Sequence, residues 1–173
     1  RMNGALGVAY TTAIREAYKG IVPSSCDFVM LWWQKAAATV RTGSARRFGL
    51  IATNSITQKF NRRVIEEALS AKKALSLAFA IPDHPWVDSA DGASVRISMT
   101  VGSAGKRDGV LATIEHEEGI GDEIAVNITG VTGQIHADLT VGANTASAVP
   151  LLSNNGMACN GVQLSGMGFA IDR

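Results

Sequence analysis

The stretch Arg46–Pro82, RRFGLIATNSITQKFNRRVIEEALSAKKALSLAFAIP, decides the fold. A short apolar run, Phe48-Gly49-Leu50-Ile51-Ala52, ends in Thr53-Asn54-Ser55. An amphipathic segment follows, with Ile56, Phe60, Val64, Ile65, Ala68 and Leu69 at helical spacing and Lys59, Arg62 and Arg63 towards the other side. A second apolar run, Leu75–Ile81, closes the unit. Strand, helix, strand in this order predicts a mostly parallel sheet covered by helices. Phe48–Thr53 does not alternate, so burial on both faces is expected. Ligands of open α/β sheets sit beyond the carboxyl ends of the strands. That places Thr53-Asn54-Ser55 first among the candidate functional residues.

Towards the N-terminus, Ser24–Thr42 predicts a helix, opened by Ser24 and Asp27 as a capping-box variant and stopped at Gly43. Its body, Phe28-Val29-Met30-Leu31-Trp32-Trp33 and then Ala36, Ala37, Ala38 and Val40, is apolar on most faces. A helix buried between layers is expected, with both tryptophans in the core. Tyr10–Lys19 predicts a shorter helix ended by Gly20, and Asn3-Gly4 with Gly7 reads as loop. Ser55 with Gln58 predicts a second capping box, opening a helix that runs to about Lys72.

Towards the C-terminus, Pro82–Trp86 reads as a tight loop and Asp88–Gly92 as a turn. Ala93–Val101 alternates Val95, Ile97, Met99 and Val101 against Arg96, Ser98 and Thr100, which predicts a half-exposed strand. The connection is too short for a parallel crossover. An antiparallel hairpin on the edge of the sheet is therefore expected. Beyond Gly105 come short β-like runs, Gly109–Ile114, Glu123–Thr129 and Gln134–Leu139, with turn signals at Asp122-Glu123 and Thr132-Gly133. Val141–Arg173 is rich in Ala, Asn and Gly and reads as irregular. The fold class is α/β, with a β-rich extension over residues 105–173 following an α/β part over residues 1–104.

The chain has 173 residues, 46% of them hydrophobic, which suffices for a sizeable core. Two cysteines, Cys26 and Cys159, and three scattered histidines have no metal or redox spacing, so no metal site is expected. Nothing approaches the ~18 apolar residues of a membrane span. The opening RMNGALGVAY lacks the apolar core of a signal peptide, and a cytoplasmic protein is expected. The net charge of +1 hides an asymmetry: residues 1–73 carry +8 and residues 74–173 carry −7. A basic front half suits a phosphate-rich partner, although charge alone favours solvated helix surfaces.

Helix, strand, basic helix, strand, Pro-aromatic loop and antiparallel strand resemble the back half of a class I methyltransferase (Rossmann-like) sheet. DFVMLWWQKAAATVRTGSARRFGLIATNSITQKFNRRVIEEAL, over residues 27–69, resembles DNA amino-methyltransferases. The group it is most similar to is the bacterial type II restriction-modification proteins with methyltransferase and endonuclease in one chain. AFAIPDHPWVD and GASVRISMTV resemble the same family's hairpin. GQIHADLTVGANTASAVPLLSNNGMACNGVQLSGMGF resembles its passage towards a target-recognition domain.

The resemblance implies methyl transfer from S-adenosylmethionine to an exocyclic base amine of DNA, adenine N6 above all, in a bacterial cytoplasm. Such enzymes extrude the base into a pocket. By position, Asp27 and Phe28 are implied on the cofactor side, and Thr53, Asn54, Ser55, Pro85 and Trp86 around the base. Trp86 has two readings, a base-stacking aromatic or a hairpin core residue, and His84 is an alternative stacker. Lys59, Arg62 and Arg63 would point away from DNA. No Gly-rich cofactor turn and no Asn/Asp-Pro-Pro-aromatic tetrapeptide occurs, so no catalytic residue is named. The expectation is a piece of a longer catalytic domain, inactive without the missing parts of its parent chain. The alternative is a non-catalytic nucleic-acid-binding or oligomerisation module on a remnant α/β sheet. A dehydrogenase piece would need a G-x-G-x-x-G turn, which is not there.

Overall fold

A computed structural model describes residues 2–86, 95–118, 125–144, 148–149 and 151–157. Two helices open the chain, α1 (Met2–Leu6) and α2 (Val8–Ala17). Asn3-Gly4 is therefore helical rather than loop. Gly7, at φ 79°, breaks the chain between the two helices, while Gly20 and Gly43, at φ 75° and 86°, follow α2 and α3 as expected. Helix α3 (Val29–Arg41) leads to strand β1 (Arg47–Thr53), then a 3₁₀ turn (Asn54–Thr57) and helix α4 (Lys59–Ser70). Strands β2 (Leu75–Pro85), β3 (Arg96–Ala104), β4 (Gly109–Glu118) and β5 (Ala125–Gly133) complete one five-stranded sheet.

The strand order is β1-β3-β2-β4-β5. Strand β3 thus lies between β1 and β2 and runs antiparallel to both. The hairpin pairing is as expected, but its place is the interior of the sheet and not the edge. The expectation of a mostly parallel sheet gives way too: only β2 and β4 pair in parallel, through Phe79 with Val110 and Ala80 with Leu111. The physical reason is the short β2–β3 connection, which brings β3 back beside β2 before anything else can pair there.

The core lies on one face of the sheet. Phe48, Leu50, Leu75, Leu77 and Ala80 meet Met30, Trp33, Ala37 and Val40 of α3 and Val64, Ile65 and Ala68 of α4. Strand β1 is an edge strand, exposed on alternate residues, with Ile51 52% exposed, so it is not buried on both faces. Strand β3 is instead buried on both. Ser98 and Thr100, read as a solvent face, are 0% and 1% exposed. Ser98 Oγ donates to the Pro82 carbonyl at 2.6 Å, and Thr100 Oγ1 accepts from Trp33 Nε1 at 3.2 Å. Buried hydroxyls are tolerated when partnered in this way.

Other local expectations change for stated reasons. Neither helix carries the capping box read for it, because Asp27 and Ser55 bond each other across the fold (Ser55 Oγ to Asp27 Oδ2, 2.7 Å). Trp33 is fully buried but Trp32 is 55% exposed, since α3 packs on one side only. Residues 82–85 belong to β2, not to a loop, and register shifts beside Pro82 absorb its missing N–H. Thr132-Gly133 lies within β5 and is no turn. Gln134–Leu139 is not a strand. It turns at Leu139, in the left-handed region, and Ile135 bridges Val141 while Ile135, Ala137 and Leu139 are buried. Past Val141 the described residues carry one 3₁₀ turn (Leu152–Asn154). The turns read at residues 88–92 and 122–123 involve residues outside those described.

Gly102 stands where β3 passes under Phe48: an added Cβ would overlap the Phe48 ring. Gly102→Ala is expected to destabilise the fold by about 1–3 kcal/mol through overpacking. Pairing it with Phe48→Leu should recover part of that loss. Urea denaturation of the single and double variants checks this, and additive losses would contradict it.

Candidate functional site

The carboxyl ends of β1 and β2 and the start of β3 form one rim. Thr53 and His84 both sit opposite Ile97, and Pro85 sits opposite Arg96. The stretches Thr53–Ser55 and Pro85-Trp86, 30 residues apart in sequence, therefore share one end of the sheet. Asp27, in the approach to α3, joins them through side chains.

Two polar networks hold the rim. In the first, Asp27 Oδ2 accepts from Ser55 Oγ at 2.7 Å and from Asn61 Nδ2 at 2.8 Å. Asn61 Nδ2 also donates to the Ser55 carbonyl at 2.8 Å, and Asn61 Oδ1 accepts the Asp27 backbone N–H at 2.9 Å. Thr53 Oγ1 shares a 2.7 Å hydrogen bond with Ser55 Oγ. In the second, Arg96 Nε donates to both Asp83 oxygens at 2.6 and 2.7 Å, and Asn54 Nδ2 reaches Asp83 Oδ1 at 3.1 Å. The hydrogen bond from Arg96, and then that from Asn54, holds the Asp83 carboxyl below its ordinary value, and the same contact raises Arg96.

The aromatic candidates differ in setting. Phe28 is half-buried and meets exposed Trp32 edge-on, ring centroids 6.4 Å apart. Trp86 is 56% exposed, which removes its reading as a hairpin core residue. Its backbone N–H donates to the Val95 carbonyl at 2.9 Å. Among the described residues the indole makes no hydrogen bond or ring contact. His84 is a poor stacking surface: its side chain is 15% exposed and its Nε2 lies 3.3 Å from Glu117 Oε1. The basic face of α4 is partly self-paired, with Arg62 on Glu66 at 3.1 Å and the Arg63 guanidinium 5.8 Å above the Phe60 ring. Burial, then the Asp27 carboxylate, pushes the Cys26 thiol up to about 11, and Cys26 donates to the Phe60 carbonyl at 3.0 Å. It is a protonated, unreactive thiol.

Sequence reasoning missed Asn61, Asp83, Arg96 and Trp32. Asn61 had a signal. Residues 61, 64, 65 and 68 are the buried stripe of α4, and Asn61 is 4% exposed there while Phe60, assigned to that stripe, is 48% exposed. A polar residue in register with a buried stripe marks a tertiary hydrogen bond. The Asp83–Arg96 pair had no such signal, because it depends on the register of β2 against β3.

No group of His, Cys, Asp and Glu suited to a metal ion occurs among the described residues. For an adenosine-bearing cofactor the fit is partial. Asp27 is exposed, and its Oδ1 accepts no hydrogen bond among the described residues, so it remains open to a ribose hydroxyl. Phe28 and Trp32 offer an aromatic surface one and five residues further on.

A sheet with a reversed strand between two parallel ones, helices over one face and a polar rim at the carboxyl ends is an α/β domain of the methyltransferase class. The sequence matches the family described as "MmeI, DNA-methyltransferase domain" over residues 10–112, and the chain belongs to that family. The fold is similar to a chain in the structure of the type IIL restriction-modification enzyme MmeI in complex with DNA. The TM-score is 0.58 at 20% sequence identity, over 80% of this chain. The likeness spans 18% of that chain's length. A comparison with curated protein sequences gave no match.

Two outcomes are expected of the rim. Asn61→Ala strands the Asp27 amide and the Ser55 carbonyl and should lower stability by about 1–3 kcal/mol, read by urea denaturation. Asp83, depressed in the folded state, adds stability above its ordinary value of 3.8, and this is lost as pH falls through the lowered one. A carboxyl-carbon NMR titration should show Asp83 below that value in the wild type and moved back towards it in Arg96→Gln; an unmoved midpoint would contradict the clamp.

Proposed function

We propose that this chain forms part of an enzyme that methylates DNA in restriction-modification, transferring a methyl group from S-adenosylmethionine to an exocyclic base amine, adenine N6. The observation that carries the reading is convergence. Asp27, Thr53–Ser55 and Pro85-Trp86, three separate stretches, meet at the carboxyl rim, and Trp86 is open at its corner. The family membership and the fold likeness support the same reaction class.

In this reading residues 1–104 are the methyltransferase part, and residues 105–173 connect it to a target-recognition part. Asp27 takes a ribose hydroxyl on Oδ1, while Asn61 and Ser55 hold its other oxygen still. Phe28 and Trp32 flank the cofactor's adenine. Bound S-adenosylmethionine supplies the methyl group. Thr53 and Asn54 wall the base pocket, and the Trp86 face stacks on the extruded base beside the fixed ring of Pro85. Held by Asp83 and Arg96, the hairpin keeps Trp86 at the rim. The groups that grip the target amine, and the remaining cofactor contacts, come from other parts of the parent chain. These 173 residues alone therefore transfer no methyl group.

In the parent enzyme Trp86→Ala is expected to weaken substrate DNA binding by roughly 5- to 150-fold, the equivalent of about 1–3 kcal/mol of base stacking. Thermal melting should be unchanged. Wild-type affinity and turnover in that variant would refute the stacking role. Calorimetry of the 173-residue chain with S-adenosylmethionine should show no micromolar binding.

A further inference from the structure

The end of the sheet opposite the rim has its own chemistry. Four separate segments deliver cations to it. Arg46 and Arg47 enter β1, Lys72 and Lys73 precede β2, Lys106 and Arg107 follow β3, and Arg41 ends α3. Backbone and side-chain contacts bring them together. Arg47 pairs with Ser103, the Gly105 N–H donates to the Ala74 carbonyl at 2.9 Å, and the Arg107 N–H donates to Ser76 Oγ at 3.0 Å. Arg41 Nε donates to the Lys73 carbonyl at 2.8 Å.

Six of these side chains are exposed, and none of the seven forms an ion pair among the described residues. Lys19, Arg62 and Arg96 each have a carboxylate partner, and Arg15, Lys35 and Lys59 have none among the described residues either, but only these seven are gathered from four segments at one end of the sheet. A cavity of about 690 Å³ opens in the same face, lined by Lys106 and Arg107 together with Ser70, Ser76 and two carboxylates, Glu66 and Asp108.

We propose that this end is a second nucleic-acid contact surface, which takes the sugar-phosphate backbone without regard to base sequence. Unpaired cations gathered from several segments give a field that falls only over a Debye length, whereas paired ones cancel locally. Lys and Arg with no planar base-reading partner and no aromatic among them suit phosphates rather than bases. The strand β1 has seven residues, so the end lies roughly 20 Å from the rim. The phosphates bound here are consequently not those flanking the base at the rim, but those of a more distant stretch. This surface stands or falls independently of the methyl-transfer reading.

The test is fluorescence anisotropy of a labelled random-sequence 30-base-pair duplex with this chain, titrated from 50 to 300 mM salt. Each phosphate contact adds about 0.9 to the slope of log affinity on log salt. The triple variant Arg46→Gln, Arg47→Gln, Lys106→Gln should lower the slope by about 2–3, while Lys19→Ala leaves it unchanged. In a second measurement that needs no variant, bound duplex should protect Lys72, Lys73 and Lys106 from acetylation, read by mass spectrometry. An unchanged slope, absent binding at 50 mM salt, unprotected lysines, or polyglutamate displacing the duplex at equal charge would each overturn the proposal. The slope reports phosphate contacts alone, so failure of the rim reading, which is tested by affinity and turnover in the parent enzyme, shows separately.

Discussion

Trp33 sits at 0% exposure between α3 and the sheet, and its indole N–H needs an acceptor in an otherwise apolar layer. Thr100 supplies one from the helix-facing side of β3. Phe48 of β1 meets the same indole edge-on, centroids 5.3 Å apart, and Gly102 leaves Phe48 the room to lie there. One side chain thus fastens α3 to the edge strand and to the reversed strand together. The consequence reaches the rim. Once α3 is seated on those two strands, the residues just before it arrive above the end of β1, and Asp27 can meet Ser55.

At that end of the sheet, polar side chains face a choice between local and tertiary partners. Ser and Asp near a helix start ordinarily cap its free N–H groups. Here Ser55 and Asp27 bond each other, with Asn61 closing the set from the buried stripe of α4. A short 3₁₀ turn takes up the chain between β1 and α4, with Thr57 Oγ1 donating to the Asn54 carbonyl. The arrangement exchanges two ordinary helix caps for a link between segments 28 and 34 residues apart. Links of that kind hold a rim in one geometry. Side-chain pairs also span the strands where β2 shifts register: Asp83 with Arg96 on one side, His84 with Glu117 on the other.

The elements with a strong local period were legible. Helices α3 and α4 follow from apolar spacing, β1 and β2 from their apolar runs and β3 from its alternation, because each rests on a pattern encoded within a dozen residues. Strand order was not, since it depends on which distant strand reaches a free edge first. The alternation in β3 misled for a specific reason: Ser98 and Thr100 look solvated until a carbonyl and an indole are seen to partner them. Adjacent Trp32 and Trp33 cannot be told apart by composition, yet they point about 100° apart on a helix and only one meets the sheet. Of the candidate rim, the three stretches named from the sequence do come to one end of the sheet, but the residues joining them were not legible. Asn61 in an apolar register was the one visible clue.

The charge asymmetry of the sequence also changes meaning in three dimensions. A front half of +8 suggested either a polyanion site or a solvated helix surface. The structure separates the two. The described basic residues of α4 include one in an ion pair and one over an aromatic ring, as a solvated helix face would have them. The cations around the far end of the sheet form no ion pair among the described residues, although two carboxylates, Glu66 and Asp108, line the cavity beside Lys106 and Arg107. Electrostatic self-repulsion among close unpaired cations works against the fold unless a counter-charge is present. Seven cations at one end of the sheet outnumber the two carboxylates that line the cavity there, and a bound polyanion would supply the remaining counter-charge.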